Sequence, residues 1–392
     1  MLSKTTIFLK EMVKSNYKQI GEHIRLVDER NKGLRVKQLL GLSISKEFIP
    51  SVANIIGTDM ENYKIIRKNQ FACSTMQVRR DKKMPIALLQ EVDEAIISQA
   101  YPIFEVKDEK ELLPEYLMMW FRRPEFDRYA RFKSHGSARE IFDWDEMQEV
   151  TLPIPHITKQ KEIVKEYNSI QNRIKLNEQL IQKLEETAQA IYREWFVEGI
   201  DLENLKEGWS VSNLSSIATY LNGLAMQKYP AETEEYLPVL KIRELTQGCF
   251  DSNSNKGSLD TPVEYVIKNG DVIFSWSGTL KVDIWSGGKG ALNQHLFKVY
   301  SEKYPKWFYY LWTKHHLTEF IRIAEGKATS LGHIKREHLV EAQVLIPSSE
   351  ELIKMTKLMK PIVENIELKQ LENQKLTELK ELLLSKLATV EN

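Results

Sequence analysis

The sequence predicts an α/β (α+β) protein with an internal two-fold repeat. Two similar mixed domains are separated by two long helices that pair as an antiparallel coiled coil. Three observations carry this. Residues Ile174–Leu184 (IKLNEQLIQKL) reappear without a gap, 192 positions on, as Ile366–Leu376 (IELKQLENQKL). Each copy follows an Ile-Pro step, Ile154-Pro155 and Ile346-Pro347, and lies downstream of an aromatic-rich stretch, Pro114–Phe121 and Pro305–Trp312. Both copies also carry apolar residues at coiled-coil spacing. A duplication this long implies two equivalent globular units, each followed by a long helix. Such a chain is expected to read two similar things at a fixed separation.

In the first half, Asn69–Gln77 reads as a strand, the counterpart of Gly270–Thr279, which reads as turn, strand and Gly-containing loop. Helices are expected over 111–133 and 304–325, followed by polar loops at His135–Arg139 and Glu325–Ser330. Over 158–198, apolar residues fall at Ile163, Tyr167, Ile170, Ile174, Ile181, Leu184, Ala188, Ile191 and Trp195. Their spacing alternates four and three, a coiled-coil seam. Asn177 fills the gap in that series, and a polar partner there would fix the register at some expense in stability.

The second copy is looser. Ile362, Ile366, Leu376, Leu383 and Leu387 keep the seam, Lys369, Asn373 and Lys380 interrupt it, and Leu371, Leu379 and Leu382 widen it. Pro361 lacks a backbone donor, so a short helix is expected before it and a long one from Pro361 to Ala388. That second helix would be about 40 Å long at about 1.5 Å per residue, close to the roughly 34 Å of one turn of B-DNA. Burying both seams is simplest if the two helices pack on each other. The expected divisions are 1–156, 157–200, 201–347 and 348–392.

Composition is that of an ordinary globular chain, with 42% hydrophobic and 28% charged residues among 392. The sequence contains no run of about eighteen apolar residues and no signal-peptide pattern. Cys73 and Cys249 have neither ligand nor redox spacing, which suggests a reducing, cytoplasmic setting. Net charge is zero, from 55 basic and 55 acidic residues. No segment has the basic excess of a stand-alone nucleic-acid binder, so any DNA affinity must come from local patches or be shared with partners.

Several of these segments together resemble the specificity (S) subunit of bacterial type I restriction–modification systems. Leu152–Ile163 (LPIPHITKQKEI) resembles that family's proline-plus-glutamine helix start, and Ala188–Phe196 (AQAIYREWF) resembles the end of its central conserved helix. Tyr63–Leu88, with Gln77–Ile86 (QVRRDKKMPI), is similar to one class of first target-recognition domain. Gly270–Gly278 (GDVIFSWSG), followed by Ala291–His295 (ALNQH), is similar to the widespread second-domain pattern. The second helix start, Ile346–Leu352 (IPSSEEL), departs from the pattern in lacking Pro-Pro and Gln. The resemblance covers nearly the whole chain.

It implies two target-recognition domains, 1–156 and 201–347, each reading a short half of a split site in double-stranded DNA. The conserved helices, 157–200 and 348–392, would set the gap and dock two methyltransferase subunits, with restriction subunits joining through the complex. No membrane partner and no cofactor are implied, and the chain would be non-catalytic.

Arg79, Arg80, Lys82 and Lys83 are candidates for phosphate or guanine contact, because arginine can grip O6 and N7 of guanine together; a solvated hairpin is the plainer reading. Gln77 suits adenine or simply points outward on a strand. Ser275, Ser277, Thr279 and Lys281 alternate with apolar or Gly positions, as on one strand face, and are candidate groove contacts or ordinary exposed residues. Asn293 and His295, with Gln294 between them, suit base edges or a closed turn. Lys133, Ser134, His135 and Arg139, and Lys327, Thr329, Ser330 and His333, combine small residues with donors that suit an approach to phosphate. The plainer reading of both groups is a helix-to-strand connection. Trp276 and the aromatic stretches 116–121 and 307–312 read as core. His315 and His316 lack a third metal ligand at suitable spacing and read as solvated helix residues.

Catalytic motifs fail individually. Around Gly326–Thr329, Ile321 stands where a P-loop needs its first Gly, and Ala328 replaces the magnesium-binding Ser/Thr. Gly287–Gly290 is a Gly-rich turn, and no Gly-x-Gly loop with an acidic ribose partner is found. No catalytic or metal-binding residues are expected. A self-contained restriction enzyme would need such a motif. A coiled-coil protein adaptor without its own DNA specificity remains the alternative, which the neutral charge permits.

Overall fold

The computed structural model describes residues 17–51, 57–76, 78–134, 141–326 and 332–391. These form two compact units, one from the residues up to 171 together with those from 378 on, the other from residues 172–377.

The two units share one strand order. In the first, a four-stranded antiparallel sheet runs Ile24–Val27, Ile103–Val106, Gln70–Cys73, Ile86–Leu88. In the second, the sheet runs Thr219–Asn222, Leu296–Tyr300, Val272–Ser275, Lys281–Ile284. The expected counterparts Gln70–Cys73 and Val272–Ser275 thus hold the same inner position. Both are covered on two faces, which the two-residue side-chain period explains. Val272 and Phe274 face one apolar cluster and Ile273 another, while Phe71 and Cys73 face one cluster and Ala72 another.

Each unit is closed by a further strand pair, Tyr17–Gln19 with Thr151–Pro153 and Ser210–Asn213 with Gln343–Ile346. The second member of each pair leads through the Ile-Pro step into a long helix.

The aromatic stretches are core, as expected. Tyr116–Phe121 and Trp307–Trp312 are buried throughout. The second stretch lies on one helix, Lys306–Glu325. In the first unit the equivalent region is two helices, Pro114–Phe121 and Pro124–Lys133, because the proline holds Arg123 extended (φ −70°, ψ 139°).

The long helices are Ile157–Phe196 (40 residues) and Ser349–Lys386 (38 residues). Ile163, Val164 and Tyr167 share a cluster with Leu384 and Leu387, whereas Ala188, Tyr192 and Phe196 share one with Met355, Met359 and Val363. The pairing is therefore antiparallel, as expected. Asn177 is buried and donates from Nδ2 to Asn373 Oδ1 at 2.9 Å, and Arg173 pairs with Glu372 at 2.5 Å. The polar partner that Asn177 required is thus Asn373, one of the residues that interrupt the second seam.

Two expectations are corrected. The helix does not begin anew at Pro361, which lies inside one continuous helix. Pro361 is exposed, and Met355, Met359, Val363 and Ile366 are buried on the other side. Water can reach the carbonyl left without a donor, and the packed face carries the helix through. The second correction concerns Ser275–Lys281. These residues do not line one strand face, because the strand ends at Ser275 and the next begins at Lys281, directly opposite it. Gly278, at φ +64°, lies in the turn between them.

Candidate nucleic-acid interface

In the second unit, four backbone segments meet at Trp276. Asn222 ends one strand, Trp276 and Ser277 follow another, Asn293–His295 turn into a third, and His333 lies after the helix Lys306–Glu325. Backbone bonds hold them together. Trp276 N donates to His295 O at 3.4 Å, Ile334 N to Trp276 O at 3.0 Å, and Gly278 N to Gly332 O at 3.0 Å. Ser277 and His333 are bridge partners. Gly223 is needed here, since a Cβ on it would lie 2.2 Å from the Asn293 carbonyl oxygen.

The side chains form a connected polar group on an aromatic base. Trp276 Nε1 donates to Asn222 Oδ1 at 2.9 Å, and Ser277 Oγ lies 3.0 Å from His295 Nδ1. The Trp276 ring is 5.9 Å from that of His295, 6.2 Å from that of His333 and 5.8 Å from that of Phe297. Asn293 donates from Nδ2 to Gln294 Oε1 at 2.7 Å. Of the sequence candidates, Ser277, Asn293, His295 and His333 are thereby brought together. Trp276, read from sequence as core, is half-buried at the core's edge. Asn222 was missed, having no signal beyond a lone Asn at a strand end.

In the first unit, a cleft of about 600 Å³ is lined by Lys46, Lys82, Lys83, Arg122, Arg128 and Lys380, with Glu47, Glu125, Asp127 and Glu381 as its carboxylates. Lys46 is buried and in the left-handed region (φ +66°). Its ammonium pairs with Asp127 at 2.8 Å and donates to the Phe121 carbonyl. Burial pushes this ammonium below the usual lysine range, and Asp127 opposes that shift. Arg122 donates to Tyr167 Oη at 2.9 Å, and Arg128 pairs with Glu125 at 3.0 Å. Lys82, also left-handed at φ +55°, and Lys83 are exposed on the rim. Sequence reading found only these two of the six cations, because the other four come from distant segments.

Arg79 and Arg80 sit on a short helix, Val78–Asp81, and not on a hairpin. Arg79 Nε donates to the Arg131 carbonyl at 3.3 Å, and Arg80 pairs with Asp81 at 2.8 Å. The Asp81 partner raises Arg80 above the ordinary arginine value. Lys133 is engaged by Glu146 at 2.8 Å and Glu149 at 3.3 Å, which hold its ammonium well above the usual range.

Four of the candidates are buried. Ser134 is fully so, with its hydroxyl donating to Ala130 O at 2.6 Å, as is Ser275, with its hydroxyl donating to Ser277 O at 3.2 Å, while Ser277 and Asn293 lie just beneath the surface of the Trp276 group. The Ser134 hydroxyl shares the Ala130 carbonyl with its own backbone N–H at a helix end, and that of Ser275 bonds a carbonyl of the following turn. Thr279 is exposed, and Lys281 pairs with Asp283 at 2.8 Å. Gln77, His135, Arg139, Lys327, Thr329 and Ser330 lie outside the described residues.

His316 departs from the solvated reading, since its ring stacks on Trp312 and its Nε2 lies 2.8 Å from Gln343 O. Among the described residues, no group of three or more His, Cys, Asp or Glu is placed to hold a metal. No described helix is long and apolar enough to cross a membrane.

The type I restriction modification DNA specificity domain family matches residues 53–186 and 206–379. The type I restriction enzyme MjaVIII specificity subunit of Methanocaldococcus jannaschii is 21% identical over 306 residues, covering 72% of this chain and 71% of its own length. The HindI specificity subunit of Haemophilus influenzae is 24% identical over 149 residues, 38% of this chain and 32% of its own. The crystal structure of a type I restriction-modification S subunit from M. genitalium shares the fold, with a TM-score of 0.55 at 12% identity over 96% of each chain. Matched in both halves, the chain belongs to the specificity-subunit family of type I restriction–modification systems, whose part in those systems is DNA recognition and not catalysis.

Proposed function

We propose that the chain reads a split site in double-stranded DNA, one short half by each globular unit, and that its helix pair sets the unspecific gap. The observation that carries this reading is the recurrence of one strand order in both units, each feeding a long helix through an Ile-Pro step. In the second unit, the group around Trp276 would face base edges. In the first, Lys82 and Lys83, with Arg79 and Arg80 on the adjoining short helix, would contact phosphate or guanine. Lys133 and Lys281 fit positioning contacts to phosphate once their internal carboxylate or backbone partners are exchanged for it, and the exposed Thr279 fits one directly.

The helix pair also suits the scaffold role. Leu176 and Leu180 on one helix, and Leu368, Leu379 and Leu382 on the other, are exposed apolar residues. They are offered to two methyltransferase subunits, with restriction subunits joining through that complex, in the cytoplasm where the DNA is. Catalysis would come from those chains.

Exchanging residues 201–347 for the corresponding domain of another specificity subunit tests the reading. One half of the methylated motif should change, while the other half and the gap stay. A change in both halves, or in neither, would favour an adaptor without its own DNA specificity.

A further inference from the structure

The group around Trp276 also assigns separate roles to its members. Ser277 is buried, and among the described residues His295 Nδ1 is the side-chain partner found for its hydroxyl, at 3.0 Å. A hydroxyl proton donated to Nδ1 leaves the neutral imidazole with its own proton on Nε2, and an imidazolium carries one there as well. The reverse arrangement, with Nδ1–H donating to Ser277 Oγ, would leave the proton of this buried hydroxyl without a side-chain acceptor among the described residues, so Nε2 of the exposed His295 is assigned as an N–H donor. Every base pair offers a purine N7 to such a donor in the major groove; guanine adds O6 and thymine offers O4, whereas cytosine presents a donor of its own.

Trp276 is placed to hold that imidazole. Its indole N–H is fixed by Asn222 at 2.9 Å, its ring lies beside those of His295 and His333, and its backbone bonds to the segments that carry both histidines.

We propose that His295 is a base-reading residue of the second unit and recognises a purine through N7, with Ser277 setting its tautomer and the Asn222–Trp276 pair positioning its ring. This rests on the reading of the second unit as a DNA reader.

The test uses the chain assembled with its methyltransferase subunits, on duplexes carrying the motif found by methylation mapping. Each purine on either strand of the second half is replaced in turn by its 7-deaza counterpart. One replacement should weaken wild-type binding about fivefold to tenfold, the effect of removing one hydrogen bond. H295A should bind natural DNA correspondingly more weakly and lose nothing further at that position. W276F and N222L should blunt the same 7-deaza effect, and N222D, which keeps the acceptor for the indole, should restore it.

Wild-type binding indifferent to 7-deaza substitution at every purine of that half overturns the assignment without recourse to any variant. So does an H295A complex that remains sensitive. A complex that methylates without any split motif removes the underlying reading instead.

Discussion

Single side chains tie each helix to its unit and to its partner helix. Gln160, fully buried, accepts from Leu113 N at 2.9 Å and donates to Glu111 O at 2.7 Å and Pro155 O at 2.8 Å. Gln160→Ala strands three backbone groups, one of them buried and two partly so, and should cost about 1–3 kcal/mol in urea unfolding; a loss below about 0.5 kcal/mol would contradict this anchoring role. Asn177→Leu leaves Asn373 without its partner and should cost about 1–2 kcal/mol, whereas Asn177→Leu with Asn373→Leu should recover most of that loss. If the two effects simply add, the pair does not act as a unit. Glu372 answers to pH. Its hydrogen bond with Arg173, and then that with Lys369, hold the carboxyl down to about 2, against an ordinary 4.5. A depressed carboxyl contributes stability above its unfolded value and loses that contribution as pH falls through the folded one. The melting difference between wild type and Glu372→Gln should therefore be small, be present at neutral pH and shrink from about pH 4.5 towards 2. A difference that grows on acidification would contradict the pairing.

At the scale of the element, the Pro361 helix shows packing overriding local propensity. Pro361→Ala restores a backbone donor in a helix interior and should raise stability by about 1–3 kcal/mol, net of the looser unfolded chain. No gain in the chemical-denaturation midpoint would mean that the helix is in fact broken there. The seam of the first long helix was legible because four-three spacing reports a face directly. What spacing did not report is where that face turns. Near the helix end Tyr192 and Phe196 are buried beside the expected Ile191 and Trp195, which pack partly buried against the same cluster, because there the helix enters the aromatic core of the second unit. The Ser275–Lys281 segment was misread for a similar reason. Its alternation suits one strand or two strands around a turn, and only the left-handed Gly278 distinguishes them. At the candidate interface, Ser277 was found from a strand-like alternation, Asn293 and His295 as hydrogen-bonding side chains within Ala291–His295, and His333 as a donor in a loop of small residues. Asn222, Lys46 and Arg122 were not, because long-range pairing brings them into place.

For the whole molecule, the repeat announced two equivalent units, and the balanced charge announced that any DNA binding by them would not come from bulk basicity. Arg79, Arg80, Lys82 and Lys83 changed together to Ala should weaken the assembled complex's DNA affinity about equally across sequences. The salt dependence should fall by roughly 0.9 in log–log slope for each phosphate that is no longer neutralised. An unchanged slope would place the phosphate-binding cations elsewhere. The central claim, that this chain supplies the DNA specificity of its complex, is tested most directly by single-molecule methylation mapping of DNA from cells carrying the chain with its methyltransferase, and from cells in which the chain alone is deleted. The account predicts a motif of two short halves around a fixed gap that vanishes on deletion. The same motif surviving deletion, or an active methyltransferase that leaves no split motif, would contradict it.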